Sequence, residues 1–267
     1  MATTTSDRSE RGDSMKKIIF GVAFCGAALA FAGAANAAND NQYDFLYGSS
    51  DALILGPTGI ATPSVGYINS AVDRYLDPLG YDGTPATTLP LTLPNTWEFF
   101  QSVPAGQAVL VDAILADYAA GEMGCDASGV CSDPLTIFTY SQSSLVAAYA
   151  QQELSDAGVP TDALRFVMLG ANPAPVPTDL YPTEVFNIQG DIYTNPLGQS
   201  WIDLLFGGTS WQDLLYGLLV HNAYLGLTAD QIDSATSVVD GMTTFNEIPA
   251  LDTGELWQAL FTSFFGL

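Results

Sequence analysis

Four short apolar runs constrain the fold of this chain more than any other feature. Ala52-Leu-Ile-Leu-Gly56, Leu135–Tyr140, Leu164–Leu169 and Val185–Gln189 are bounded by Gly, Pro or polar turn formers. Between them lie stretches with helical spacing: Ser64–Leu76 (Val65, Ile68, Val72, Leu76), Ala105–Tyr118 (Val109, Ile114, Leu115) and Ser143–Ala157. Strands apolar on both sides, alternating with helices, predict a parallel sheet with both faces covered. The fold class is therefore α/β. Residues 77–96, rich in Pro, Gly and Thr, read as a long surface excursion. Gly254–Leu267, with Trp257, Leu260, Phe261, Phe264 and Phe265, reads as a terminal helix packed on the core, the alternative being an apolar docking surface.

The first 37 residues read as an extended signal peptide that is removed. Met15-Lys-Lys17 is a basic start, Ile18–Phe31 an apolar segment, and Ala35-Asn-Ala37 a small-residue cleavage site. The apolar segment is short for a membrane span, so no transmembrane segment is expected in the mature chain. Phe24 is too bulky for lipidation of Cys25. Residues 38–50 read as a polar lead-in and 51–267 as one domain of a size that buries a core.

Charge and cysteine use agree with export. Removing the leader leaves Arg74 and Arg165 against 26 acidic residues, a net charge of −24 with the lone histidine, His221, neutral. Such a surface repels phosphates, so nucleic acid and anionic headgroups are poor partners and the expected substrate is neutral or apolar. Cys125 and Cys131, with turn formers Asp126 and Gly129 between them, suit a small disulfide loop outside the cytoplasm. Their spacing is wrong for a zinc site, and no metal or other cofactor is expected.

The junction between the Leu135–Tyr140 run and the helix after it reads Thr139-Tyr-Ser141-Gln-Ser143. A serine at a strand-to-helix turn is either a helix cap or a nucleophile raised on a G-x-S-x-G elbow, whose flanking small residues let strand and helix approach. Ser143 is small, but Thr139 stands where the pattern has glycine. A nucleophile needs a base, for which His221 is the one histidine, and an acid to orient that base. Asp191 follows the Val185–Gln189 run directly, whereas Asp203 and Asp213 fall in expected helices. Ser141, Asp191, His221 is the chain order of α/β-hydrolases. The backbone N–H groups of Gln142 and Thr58 are the candidate oxyanion donors, the latter in Leu55-Gly-Pro-Thr-Gly59, where Pro57 has no N–H to give. That loop lacks the Gly-Lys-Ser/Thr of a phosphate cradle.

With these residues assembled, the chain resembles the PE-PPE domain of mycobacterial proteins, a serine hydrolase domain similar to cutinases and lipases. The resemblance rests on Ala52–Ser64, Phe100-Gln-Ser-Val-Pro-Ala-Gly106, Tyr140-Ser-Gln-Ser143, Leu169-Gly-Ala-Asn-Pro173, Tyr181-Pro-Thr-Glu-Val185 and Val220-His-Asn-Ala-Tyr224. It implies a cutinase-like three-layer α/β-hydrolase sandwich with a mainly parallel sheet, and Ser141 as nucleophile, Asp191 as acid and His221 as base. Asn195 stands where a second family acid often lies, which favours Asp191. A conventional signal peptide, rather than a PE or PPE module, is expected before the domain, so export by the general secretory route is expected.

The expected function is a secreted carboxylester hydrolase, an esterase or lipase, acting on neutral acyl-ester or lipid substrates through an acyl-enzyme. Peripheral association with the cell envelope is a further expectation. Tyr181, Tyr193, Trp201 and Trp211 lie near the acid and histidine segments, as core or as pocket. Two other readings use the same residues: an envelope acyltransferase that passes the acyl group to a sugar or lipid hydroxyl, and an inactive envelope-binding domain, for which Thr139 is the best support.

Overall fold

The computed structural model describes residues 44–194 and 210–265. The leader, most of the lead-in, Asn195, Trp201 and Asp203 lie outside the described residues. Seven strands form one sheet: β1 (Ala52–Ile54), β2 (Thr88–Pro90), β3 (Leu135–Tyr140), β4 (Leu164–Leu169), β5 (Thr183–Ile188), β6 (Thr236–Asp240) and β7 (Thr243–Ile248). Their order across the sheet is β2-β1-β3-β4-β5-β7-β6, and only the β6–β7 pair is antiparallel. The α/β class, with a mainly parallel sheet, is the observed one.

Alternation along the strands divides the core in two. Phe138, Tyr140, Val167, Leu169, Phe186 and Ile188 point to one face. There they meet Tyr67 and Ala71 of α1 (Val65–Ala71) and Leu256, Ala259 and Leu260 of α6 (Thr253–Phe265). Ile137, Phe166, Met168 and Val185 point to the other face. That face is covered by α2 (Phe99–Ala120) and α3 (Gln142–Asp156), with Leu110, Ile114, Val146 and Ala150 buried. By length and composition α2 can cross a membrane, but Val103, Leu110, Val111 and Ile114 pack into this core.

Helix ends follow local chemistry. Ser64 caps α1 by accepting from the Tyr67 N–H at 3.2 Å. Gly121 ends α2 in the left-handed conformation, φ +79°. Ser210 and Asp213 form a reciprocal capping box on α4 (Trp211–Val220). Asp213, a competitor for the role of acid, is thereby occupied as a cap. Thr228 and Gln231 do the same for α5 (Ala229–Asp233).

Two sequence expectations need correction. Residues 77–96 are not simply a surface excursion. Tyr81, Leu93 and Asn95 are buried, and Thr88–Pro90 adds a parallel edge strand to β1. The second helix begins at Phe99, six residues before Ala105, with Pro104 inside its second turn.

Candidate active site

The sheet's topology decides what can meet. Ser141 leaves β3 and Asp191 follows β5 by a short turn, with β4 between them. His221 ends α4 as its C-cap residue and lies across the end of β4. Its Nε2 is 2.7 Å from Ser141 Oγ and its Nδ1 is 2.7 Å from Asp191 Oδ2. The structure thus brings together the three side chains picked out in the sequence. Asp191 and His221 are buried.

Bridging β4 requires that its end be bare. Gly170, the residue after β4, has φ +57°, and a Cβ there would come within 3.0 Å of His221 Cε1 and 3.3 Å of Nδ1. Glycine alone gives the imidazole this room without strain.

The local geometry separates a cap from an elbow. Ser141 has φ +59° and ψ −117° and makes no side-chain capping bond. Among the described residues only Ser141 and Asn95 are non-glycine with positive φ, and backbone strain of this kind concentrates at functional sites. The neighbouring serines do the structural work. Ser143 Oγ accepts from the Tyr140 N–H at 2.9 Å and donates to the Tyr140 carbonyl at 3.0 Å. Ser144 Oγ donates to the Leu169 carbonyl at 3.0 Å. Thr139, in the glycine position, is fully buried with Oγ1 3.0 Å from Ser144 Oγ. Since the Ser144 proton goes to Leu169, Thr139 donates. The threonine is built into the elbow and ties the ends of β3 and β4 to the first turn of α3.

The two candidate oxyanion donors share one scaffold. Asn95 Nδ2 donates to the Gly56 and Ile60 carbonyls at 2.7 and 3.1 Å, and its own carbonyl accepts from the Gly59 N–H at 2.7 Å. The next carbonyl, that of Thr96, accepts from Gln142 Nε2 at 3.0 Å. Asn95-Thr96 therefore holds the Thr58 turn and the start of α3 in one assembly. Among the described residues neither the Thr58 nor the Gln142 amide N–H has a partner. The Gln142 N–H is an orphan donor of a helix start, where the helix dipole also favours negative charge.

Five residues, Gly170, Asn95, Tyr193, Tyr224 and Tyr140, support the site through contacts that no local sequence signal shows. The Tyr193 ring packs against His221 at a tilt of 47° with ring centroids 4.3 Å apart, and the Tyr193 N–H donates to Asp191 Oδ1 at 2.9 Å. Tyr224 donates to Asp191 Oδ2 at 2.8 Å. Tyr140 donates from below to the His221 carbonyl. Burial raises the phenols of Tyr140 and Tyr224 well above their usual value, and the Asp191 charge adds to the effect, so both remain protonated donors. Of the other aromatics, Tyr181 is core, donating to the Val159 carbonyl at 3.0 Å, and Trp211 is exposed. Cys125 and Cys131 are joined by a disulfide, with Asp126 Oδ1 accepting from the Ser128 and Val130 N–H groups inside the loop.

Sequence comparison adds the family. The PE-PPE domain matches residues 83–196. The matched stretch includes Ser141, Gln142 and Asp191 and stops short of His221. Esterase PE16 of Mycobacterium tuberculosis (strain ATCC 25618 / H37Rv) is 29% identical over 243 residues, covering 77% of this chain and 43% of that relative. The chain thus spans less than half the length of the curated relative it matches. The PE-PPE domain match and the esterase-named relative together support a lipase- or esterase-like enzyme.

Proposed function

We propose that this PE-PPE domain is a secreted serine esterase hydrolysing neutral carboxylic esters. The observation that carries the reading is the unbroken relay Ser141 Oγ–His221 Nε2 and His221 Nδ1–Asp191 Oδ2, both at 2.7 Å, on a serine that caps nothing.

In this mechanism His221 Nε2 takes the Ser141 hydroxyl proton as Oγ attacks the ester carbonyl. Asp191 holds the imidazole in the Nδ1–H tautomer and stabilises the imidazolium. The carbonyl oxygen becomes an oxyanion facing the Gln142 and Thr58 N–H groups, where one donor is typically worth about 3 kcal/mol. Collapse expels the alcohol, which leaves with the proton on Nε2, and the acyl group stays on Oγ. Water then gives a proton to Nε2, attacks the acyl-enzyme and releases the carboxylic acid and free Ser141. The excess of acidic residues favours an uncharged ester over an anionic one. Export is inferred from the leader-like residues 15–37 and agrees with the disulfide.

The test is hydrolysis of neutral p-nitrophenyl acyl esters. Ser141→Ala should lower kcat by about 10⁴-fold or more; a variant as active as the parent would refute the assignment. Adding glycerol or trehalose reports the acceptor. Free acid alone fits hydrolysis, and a new glycerol or trehalose ester would reassign the same triad to acyl transfer.

A further inference from the structure

The acid of the triad is held by more than the histidine. Asp191 Oδ2 accepts from two donors, His221 Nδ1 at 2.7 Å and Tyr224 Oη at 2.8 Å. The same Tyr224 oxygen accepts from the Ile188 N–H at 3.0 Å. Ile188 opens the turn that carries the acid, its carbonyl accepting from the Asp191 N–H at 3.0 Å. One phenol therefore grips both the carboxylate and the end of the strand that presents it. The chain supplies base and phenol from one short piece, since Tyr224 lies three residues after His221 with its ring edge-on to the imidazole. Tyr224 is fixed in turn: its carbonyl accepts from Tyr75 Oη at 2.8 Å, and its ring lies 5.4 Å from that of Tyr140.

We propose that Tyr224 is a positioning residue of the catalytic relay, acting through Asp191: its hydroxyl fixes the carboxylate's rotation and shares Oδ2 with His221. This inference rests on the serine-esterase reading. Without the phenol, the carboxylate has only His221 and the Tyr193 N–H to orient it, so the imidazole loses part of its set direction toward Ser141. With Oδ2 no longer shared, the Asp191–His221 bond shortens. The burden falls on turnover, because Tyr224 lies beneath the acid and away from the ester. A merely core-filling tyrosine would make the same buried contacts without altering the His221–Asp191 bond.

The chain has a single histidine, so [¹⁵N]histidine labelling makes the Nδ1–H proton an unambiguous reporter. In Tyr224→Phe, kcat on a p-nitrophenyl ester should fall about 10- to 100-fold, the range expected for losing a hydrogen bond to a charged group, with KM within about twofold. The Nδ1–H resonance should move downfield. Tyr181→Phe also loses a buried phenol bond, the one to the Val159 carbonyl, and it should lower the melting midpoint while leaving kcat and the resonance in place. Should Tyr224→Phe not fold, 2,3-difluorotyrosine at position 224 keeps the shape and strengthens the donor. It should move the resonance upfield.

A folded Tyr224→Phe with parental kcat, or a resonance unmoved by either replacement, would overturn the proposal. So would Tyr181→Phe matching Tyr224→Phe in both readouts. These failures are distinct from failure of the esterase reading, which would appear as ester hydrolysis that survives Ser141→Ala.

Discussion

Restoring glycine at the elbow, Thr139→Gly, should weaken the protein without improving it. The sequence pattern suggests the reverse, because glycine is the residue expected there. In the fold, Thr139 is fully buried and donates to Ser144 Oγ at 3.0 Å, and Ser144 in turn donates to the Leu169 carbonyl. Removing the side chain deletes one buried hydrogen bond, about 1 kcal/mol net, and one buried methyl, about 1 kcal/mol. It also adds roughly 0.5–1 kcal/mol of backbone freedom within β3. The expected loss is about 3 kcal/mol of unfolding free energy, read from urea denaturation at constant m-value. The turnover of the folded fraction should change little, since Ser143 and Ser144 keep their own bonds to the turn. A variant equal to or more stable than the parent, or clearly faster, would refute this account of the threonine.

Gly170→Ala places a methyl 3.0 Å from His221 Cε1 at a φ of +57°, and should cut kcat about 10- to 100-fold by displacing the imidazole; unchanged kinetics would show that the ring tolerates the shift. Glu184, buried on β5, accepts from Asn246 Nδ2 at 2.6 Å, and burial pushes its carboxyl from 4.5 up to about 7. Because the folded state holds this proton more tightly, the stabilisation is present below pH 4.5 and is lost as pH rises through about 7. It amounts to about 3 kcal/mol. Glu184→Gln should remove that slope, seen as a parent-minus-variant stability difference that changes between those pH values; a flat difference would contradict the assignment.

The core of the fold was legible because its strands are continuous apolar runs. β3, β4 and β5 carry residues such as Ile137, Phe166 and Phe186, which only a sheet covered on both faces can bury. The edges were not. β6 is exposed along its whole length, so Thr236–Asp240 shows no alternation to read, and β7 hides a buried Asn246 among polar residues. β2 is three residues long and ends in proline. At the site, chain order and the presence of one histidine picked out Ser141, Asp191 and His221. Their supports were invisible for a different reason. Gly170, Tyr193 and Tyr224 act through a gap, a tilted ring contact and a bond that exist only once β3, β4, β5 and the segment after α4 converge. Asn95, beside Pro94, had a turn signal of its own, but nothing local tied it to Gly56 and Ile60.

The central claim is that Ser141 is an activated nucleophile. The direct measurement is covalent labelling of the purified protein by a fluorophosphonate, followed by mass spectrometry of the modified peptide. The parent should carry one adduct, on Ser141, and Ser141→Ala and His221→Ala should carry none. A well-folded parent that takes no label, or one whose label persists in Ser141→Ala, would contradict the account.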